Sequence, residues 1–554
     1  MNINYFIKLF ILLILGIISI NFGYTPYSFR YRATAFLFYD DFDLILDPAR
    51  IPWVKGTRIF TNLSNLITQE EKIVANYSEN TFLIGVSTDY LNFIYPALVY
   101  DFYSLKEPLM TNLKDREGNP IYGEGKEVVT EWQDIDNNGS YDYKIVRERE
   151  EKAEREEKRN DFYIGLAKKF GSLSLGIGYF QTGIKSSILT PEYNYQWFQT
   201  DYSIINNQFT FGETIKFSGK STNNNLSHRF LLSSSKELGM FKLGLLLGME
   251  ATNFEESNNL SGEWTEVRSQ TDFDRSFYLS NSSLPYKGLR IPIDFYLFHS
   301  YEREKEVVGY EGRYFLTFSF ANSKLDEGFV KEEETSYTSL APGIFFRKDS
   351  LIEEKKGKRK ENLIKIATHQ LFFPAEKFSF GFGCELFYKS SVDSTGSIAS
   401  QFSFSSFDNQ DNQSNRQDSS VEAYSEYGFS NKKTGINFGF TIPIGFEYKP
   451  INWFILRMGS RYTWQKQDKT TVEKMTSFKP RKKIITYGDG TKRETVEWTR
   501  EKEGTKEDFK EIINSTTFTY GIGITPKEFI SIDLTGFGEL LNLANWKISI
   551  VFKF

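Results

Sequence analysis

Between Asp134 and Asp142 the chain reads Asp-Ile-Asp-Asn-Asn-Gly-Ser-Tyr-Asp. Side-chain oxygens stand at the first, third and fifth positions (Asp134, Asp136, Asn138), a glycine at the sixth and an acid, Asp142, at the ninth. A hard cation such as Ca²⁺ takes oxygen ligands, and a short loop wraps around one only if a glycine lets the backbone turn sharply between donors. The twelfth position, where a bidentate acid would complete the shell, is Ile145. Two readings stay open: a structural Ca²⁺ loop that stiffens an exposed segment, or a polar turn between two strands. No other cofactor is indicated, since the chain has neither a glycine-rich phosphate loop nor a Cys/His zinc cluster. His228, His299 and His369 are far apart, and Ser227-His228 and His299-Ser300 are adjacent pairs without a nucleophile motif, so the chain reads as a non-enzyme.

The elements that carry these residues show themselves at the carboxy-terminus. Side chains on a strand alternate between faces, so Trp546, Ile548, Ile550, Phe552 and Phe554 share one side, and Lys547, Ser549, Val551 and Lys553 the other. The first side is membrane-facing and the second faces water, which is the pattern of a tilted transmembrane β-strand. An aromatic residue ending such a strand resembles the signal by which bacterial outer-membrane barrels are recognised, which implies the barrel-assembly machinery as a partner. The same alternation recurs in Phe241 to Met249, Phe378 to Leu386 and Ile436 to Phe446, with glycines frequent on the inward side. Small inward residues leave lumen volume or let a plug come close.

The amino-terminal residues agree with export. Tyr5 to Ile20 is almost wholly apolar apart from Lys8, and is short for a membrane helix, so residues 1–23 read as a signal peptide directing the chain to the bacterial outer membrane. Aromatic residues make up 17% of the chain, which suits interface girdles. The net charge of −5, from 67 basic and 72 acidic residues, leaves no electrostatic footprint for nucleic acid. The single cysteine, Cys384, excludes an intrachain disulfide and reads as a small lipid-facing side chain.

The expected fold is therefore all-β, a transmembrane antiparallel β-barrel of about 14–16 strands with an N-terminal plug segment. Residues 24–79 are assigned to the plug and 80–554 to the barrel. Expected strands include 80–103, 273–283, 289–301, 310–321, 336–347 and 363–373. Tight turns at Phe170-Gly171-Ser172, Leu238-Gly239, Pro374-Ala375-Glu376, Lys449-Pro450-Ile451 and Pro526-Lys527-Glu528 mark the inner end. Long polar connections, chiefly 104–159, 390–433 and 466–511, are expected outside, and 322–335 breaks the rule as a long connection on the inner side. The mixed-charge run from Lys144 to Asn160 is expected to be a solvated helix or loop.

Ahead of the first expected strand lies Arg32 to Pro52, which contains Asp40-Asp41 in an Ala-containing stretch and Asp47-Pro48-Ala49. This resembles the hatch of FadL-like outer-membrane proteins, the long-chain fatty acid transporters, and of their PorV-type relatives, in which paired acids precede an Asn-Pro-Ala motif. Asp47 replaces the asparagine, and Arg50 stands where a small residue is usual. The resemblance implies passive uptake of a hydrophobic or amphipathic small molecule, with outer-membrane lipids around the barrel and a cation in the pocket for a substrate carboxylate. The PorV likeness implies the alternative, a secretion-accessory or structural barrel whose outer loops meet protein cargo.

Overall fold

The computed structural model describes residues 27–64, 78–91, 93–114, 118, 120–134, 142–201, 209–267, 273–302, 309–340, 343–408, 418–498, 504–535 and 547–554. After two short helices and a 3₁₀ turn, the chain forms β1 (Arg58–Ser64), β2 (Ser78–Ser87), β3 (Tyr95–Pro108), β4 (Met110–Lys114), β5 (Pro120–Tyr122), β6 (Glu124–Gln133), β7 (Tyr143–Phe170), β8 (Leu173–Asp201), β9 (Phe209–Leu238) and β10 (Phe241–Val267). There follow β11 (Phe273–Glu302), β12 (Gly309–Leu340), β13 (Gly343–Ala375), β14 (Phe378–Asp408), β15 (Ser419–Ile451), β16 (Phe454–Tyr487), β17 (Lys492–Glu497), β18 (Gly504–Lys527), β19 (Ile530–Thr535) and β20 (Lys547–Lys553).

Antiparallel neighbours run from β1 to β2 and β3, then from β7 through β16 in order, then to β18, β19 and β20, and β20 pairs back onto β1. This is a closed ring of 16 strands. Closure leaves the ring no unpaired edge at its seam, the condition under which strands can cross a bilayer. The wall presents apolar residues outward: Met249 is 53% exposed, Ile366 54%, Leu386 52% and Met458 51%. Their inward neighbours Glu250, Ala367, Glu385 and Arg457 are buried. A closed cylinder with an apolar outside and an ionic inside is a membrane-spanning barrel. No helix among the described residues is long and apolar enough to span.

The expected strand number matches, though the individual strands differ. The expected pair 273–283 and 289–301 is one strand, β11; 310–321 is the lower part of β12, and 336–347 straddles the tips of β12 and β13. Conversely, 80–103 holds most of two strands, β2 and β3, and β1 lies in the segment assigned to the plug, so the barrel begins at Arg58 rather than 80. The long inner connection at 322–335 disappears inside β12. Much of each long outer connection is also strand. Residues 390–408 and 419–433 extend β14 and β15, while 466–487 extends β16. The polar runs looked like loops because they have no apolar face. They are nonetheless paired residue by residue, since a strand outside the bilayer has no apolar solvent to face.

β7 to β16 measure 27 to 34 residues each. About 10 tilted residues cross the hydrocarbon layer, so roughly two-thirds of each stands beyond it. The expected helix or loop at Lys144 to Asn160 is β7. Arg149 and Glu151, two apart and thus on one face, lie 2.5 Å apart, as do Arg159 and Glu157. Opposite charges at i and i+2 satisfy a strand, whereas a helix would need i and i+4.

Candidate functional site: the plugged lumen

Residues 27–57 occupy the lumen in three short turns. Ser28 caps the helix Phe29–Ala33 by accepting from Tyr31 N. Asp40 opens the helix Asp41–Ile45 with a reciprocal cap: its Oδ1 accepts from Asp41 N at 2.7 Å, and Asp43 Oδ2 accepts from Asp40 N at 2.8 Å. Asp43 also accepts from Ser28 N at 2.8 Å and from Ser28 Oγ at 2.6 Å, tying the two helices together. Burial pushes the Asp43 carboxyl up to about 7, against the pull of these donors toward the charged form. Asp41 leaves the plug to accept from Arg58 Nε of β1 at 2.7 Å.

Asp47, Pro48 and Ala49 start the 3₁₀ turn Pro48–Trp53. Asp47 Oδ1 accepts from Ala49 N at 3.1 Å, and Pro48 takes a first-turn place where no donor is needed. The two departures from the hatch pattern prove to be partners. Arg50 Nε lies 3.0 Å from Asp47 Oδ2, and the guanidinium sits over the Tyr296 and Phe298 rings at 3.9 and 4.9 Å. An asparagine at 47 would remove the ion-pair partner of that buried cation.

Glycines on the wall receive the plug. A side-chain carbon at Gly445 would stand 2.5 Å from Thr34 O, one at Gly459 2.5 Å from Ala35 N, and one at Gly521 2.8 Å from Ala33 Cβ. Ala35 and Phe36 hold φ of 54° and 67°, a left-handed conformation that costs about 1–2 kcal/mol per residue. Contact with the wall maintains it. Ser233 Oγ accepts from Ala49 N at 2.7 Å, and Ser235 Oγ donates to Ala49 O at 3.0 Å. On one side of the lumen Phe42, Ile45, Ile51 and Val54 share an apolar core with Phe60, Leu83, Val99, Tyr163 and Val551 of the wall. On another, Arg30 donates to Glu447 at 2.8 and 2.7 Å, Arg457 Nε donates to Glu447 at 2.8 Å, and Arg457 also pairs with Asp533.

Beside the plug lies a cavity of about 310 Å³. Leu46, Leu231, Leu246, Phe180 and Phe315 supply its apolar wall, and Arg50, Arg229, Asp43, Asp47 and Asp294 its charges. Arg229 pairs with Glu250 at 2.8 Å while its side chain stays 28% exposed, so it keeps donors available at the rim. Of the two arginines that line the cavity, Arg229 has the more exposed side chain. The sequence signal for it existed as charged residues in the inward register of apolar strands, as with Arg229 between Phe230 and His228, and Glu385 between Cys384 and Leu386. A larger depression of about 730 Å³ is bounded by the outward-facing Leu243, Phe295, Tyr314 and Ile366, and so belongs to the lipid side.

The remaining sequence-predicted residues stand apart from this site. Asp134 and Asp142 flank the tip of the β6–β7 hairpin, where Asp142 N donates to Gln133 O at 2.8 Å; Asp136 and Asn138 lie outside the described residues. Among the described residues no group of three or more His, Cys, Asp or Glu is arranged around a common metal position. In β20, Ser549 and Val551 are buried inward, Ile548, Ile550 and Phe552 lie partly exposed on the other face, and Trp546 is outside the described residues. Phe554 is 71% exposed, and its backbone exchanges hydrogen bonds with Thr57, both at 2.9 Å. His228 Nδ1 lies 2.7 Å from Tyr179 Oη, His299 stacks on Phe241, and His369 Nε2 is 3.2 Å from Glu385. Cys384 is exposed on the outward face.

No family model matches the sequence, and no curated protein does. Among solved structures, the chain is similar to the CymD monoaromatic hydrocarbon channel at 9% identity, covering 82% of this chain and 97% of that one, with a TM-score of 0.23. It is also similar to a Pseudomonas aeruginosa FadL homologue at 9% identity, covering 97% and 100%, with a TM-score of 0.21. The copper transporter OprC follows at 8% identity, 90% and 80% coverage and a TM-score of 0.18. The class rests on the strand pairing and the filled lumen: a sixteen-stranded, plugged β-barrel.

Proposed function

We propose that this barrel lies in the bacterial outer membrane, delivered by the export segment 1–23, and passively takes up small hydrophobic or amphipathic molecules past its plug. The observation that supports the reading is the luminal cavity, in which aliphatic and aromatic side chains meet the partly exposed Arg229. A cavity of about 310 Å³ lies at the small end of ligand pockets, and suits a molecule with one apolar body and one anionic end. Exchange of a radiolabelled medium-chain fatty acid into purified protein tests this. The expected result is saturable binding that Arg229→Ala weakens about tenfold, the loss of one charge-assisted contact. Absence of saturable binding would favour the accessory reading, for which the tall outer sheet offers a surface to protein cargo.

A further inference from the structure

Along the outward face of β13, read upward from the tight-turn end, the side chains are Ile366, Ile364, Asn362, Lys360, Lys358, Lys356 and Glu354. Ile366 and Ile364 are 54% and 41% exposed, so they lie against acyl chains, and one outward step separates them from three consecutive exposed lysines. Register extends the cluster sideways. Lys358 pairs with Lys324 of β12, which pairs with Lys287 of β11; on the other side Lys358 pairs with Ser394 of β14, and that with Lys432 of β15. Directly opposite residues share a face and stand about 5 Å apart. Below this patch the same strands expose Leu289, Ile291, Phe320, Val392, Ile436 and Phe438.

The inward face of the same stretch behaves differently. Arg359 pairs with Asp393 at 3.0 Å, Glu361 with Lys389 at 3.0 Å, and Lys355 with Glu353 at 3.1 Å. Outward, Lys287, Lys356, Lys358, Lys360 and Lys432 form no ion pair among the described residues; Asp326 is taken by Lys324, and Glu354 stands at the upper end of the row beside Lys356. Like charges this close repel unless an anion lies among them. The place where they gather is the first polar layer above the hydrocarbon.

We propose that this face is a binding site for a phosphorylated glycolipid of the outer leaflet, whose acyl chains lie on Leu289, Ile291, Phe320 and Ile364 and whose phosphates sit among Lys356, Lys358, Lys360, Lys287 and Lys432. The site rests on the proposed outer-membrane placement and is independent of the luminal reading, since it lies on the opposite face of the wall. Basic residues at a membrane surface each add to anionic-lipid affinity.

The test uses the full-length barrel in neutral detergent with a fluorescent bis-phosphorylated lipid A, read by anisotropy. The triple variant Lys356→Gln, Lys358→Gln, Lys360→Gln should bind about tenfold or more weakly, and the corresponding triple arginine variant should bind as the parent does. Lipid A stripped of phosphate should bind the parent equally poorly, and millimolar inorganic phosphate should not displace the intact lipid. Heat-modifiable migration, a band shift only the folded barrel shows, confirms that each variant is folded. Equal affinity of the glutamine variant and the parent, equal affinity for the stripped lipid, or displacement by free phosphate each overturns the proposal.

Discussion

Asp43 has three donors on its carboxylate and yet is held by burial at a pKa of about 7. For an acid whose folded value is raised above the unfolded one of about 4, the stabilising contribution is fully present below pH 4 and is lost as pH rises through 7. The buried plug around Asp43 should therefore be most stable in acid and loosen above neutrality, because ionising the carboxyl costs more in lost hydration than its three donors return. Limited proteolysis of the plug at pH 5 and pH 8 checks this: cleavage within 27–57 should be faster at pH 8, and Asp43→Asn should remove most of the difference. Of the hatch residues, Asp40, Asp41, Asp47, Pro48 and Ala49 were legible as a motif in the sequence. Their division of labour was not, because a capping box, a tether to Arg58 and an ion pair to Arg50 draw on the same residue type and differ only in what lies opposite.

The plug is held by shape and by charge, and the two can be tested separately. Gly445→Leu or Gly459→Leu places side-chain carbons where Thr34 and Ala35 now lie, so the turn at Ala35 and Phe36 must move. We expect single-channel conductance to rise while heat-modifiable migration persists, because the glycines serve the plug contact and the strands stay paired. Glu447→Ala removes the acid shared by Arg30 and Arg457, leaving Arg457 with Asp533 alone and Arg30 without its ion pair; a loss of about 1.5–3 kcal/mol, that of charge-assisted hydrogen bonds, is expected, measured as a lower urea midpoint. Glu447→Gln, which keeps an acceptor, should lose less. Inward glycines were visible in the strand alternation, and their use as a seat for a plug followed once a plug was assigned. Glu447 was not singled out, since one acid in an alternating apolar run looks the same whether it faces water or an arginine across the lumen.

At the scale of the whole molecule, alternation of bulky and small residues identified the strands within the bilayer, and missed their outer halves. That limit is physical: outside the hydrocarbon both faces of β13 or β16 meet water, so polarity no longer alternates and only pairing defines the strand. The short strands tell the complementary story. β1 and β20 have 7 residues each, and their contact runs from Arg58 opposite Lys553 to Ser64 opposite Lys547. Asn62 and Ser549 are opposite one another and buried inward. In a Cys384→Ser background, Asn62→Cys with Ser549→Cys should oxidise spontaneously and raise the temperature of heat modification, with reductant restoring the parent value.

Val551, on the strand that completes the ring, is packed among Phe42, Ile45 and Val54 of the plug. The seam between β20 and β1 thus closes onto the plug as well as onto itself. Seating the plug and sealing the ring are therefore coupled, and one is expected to fail with the other. A variant such as Val551→Asp should accumulate as an unclosed species that proteases cut in 27–57.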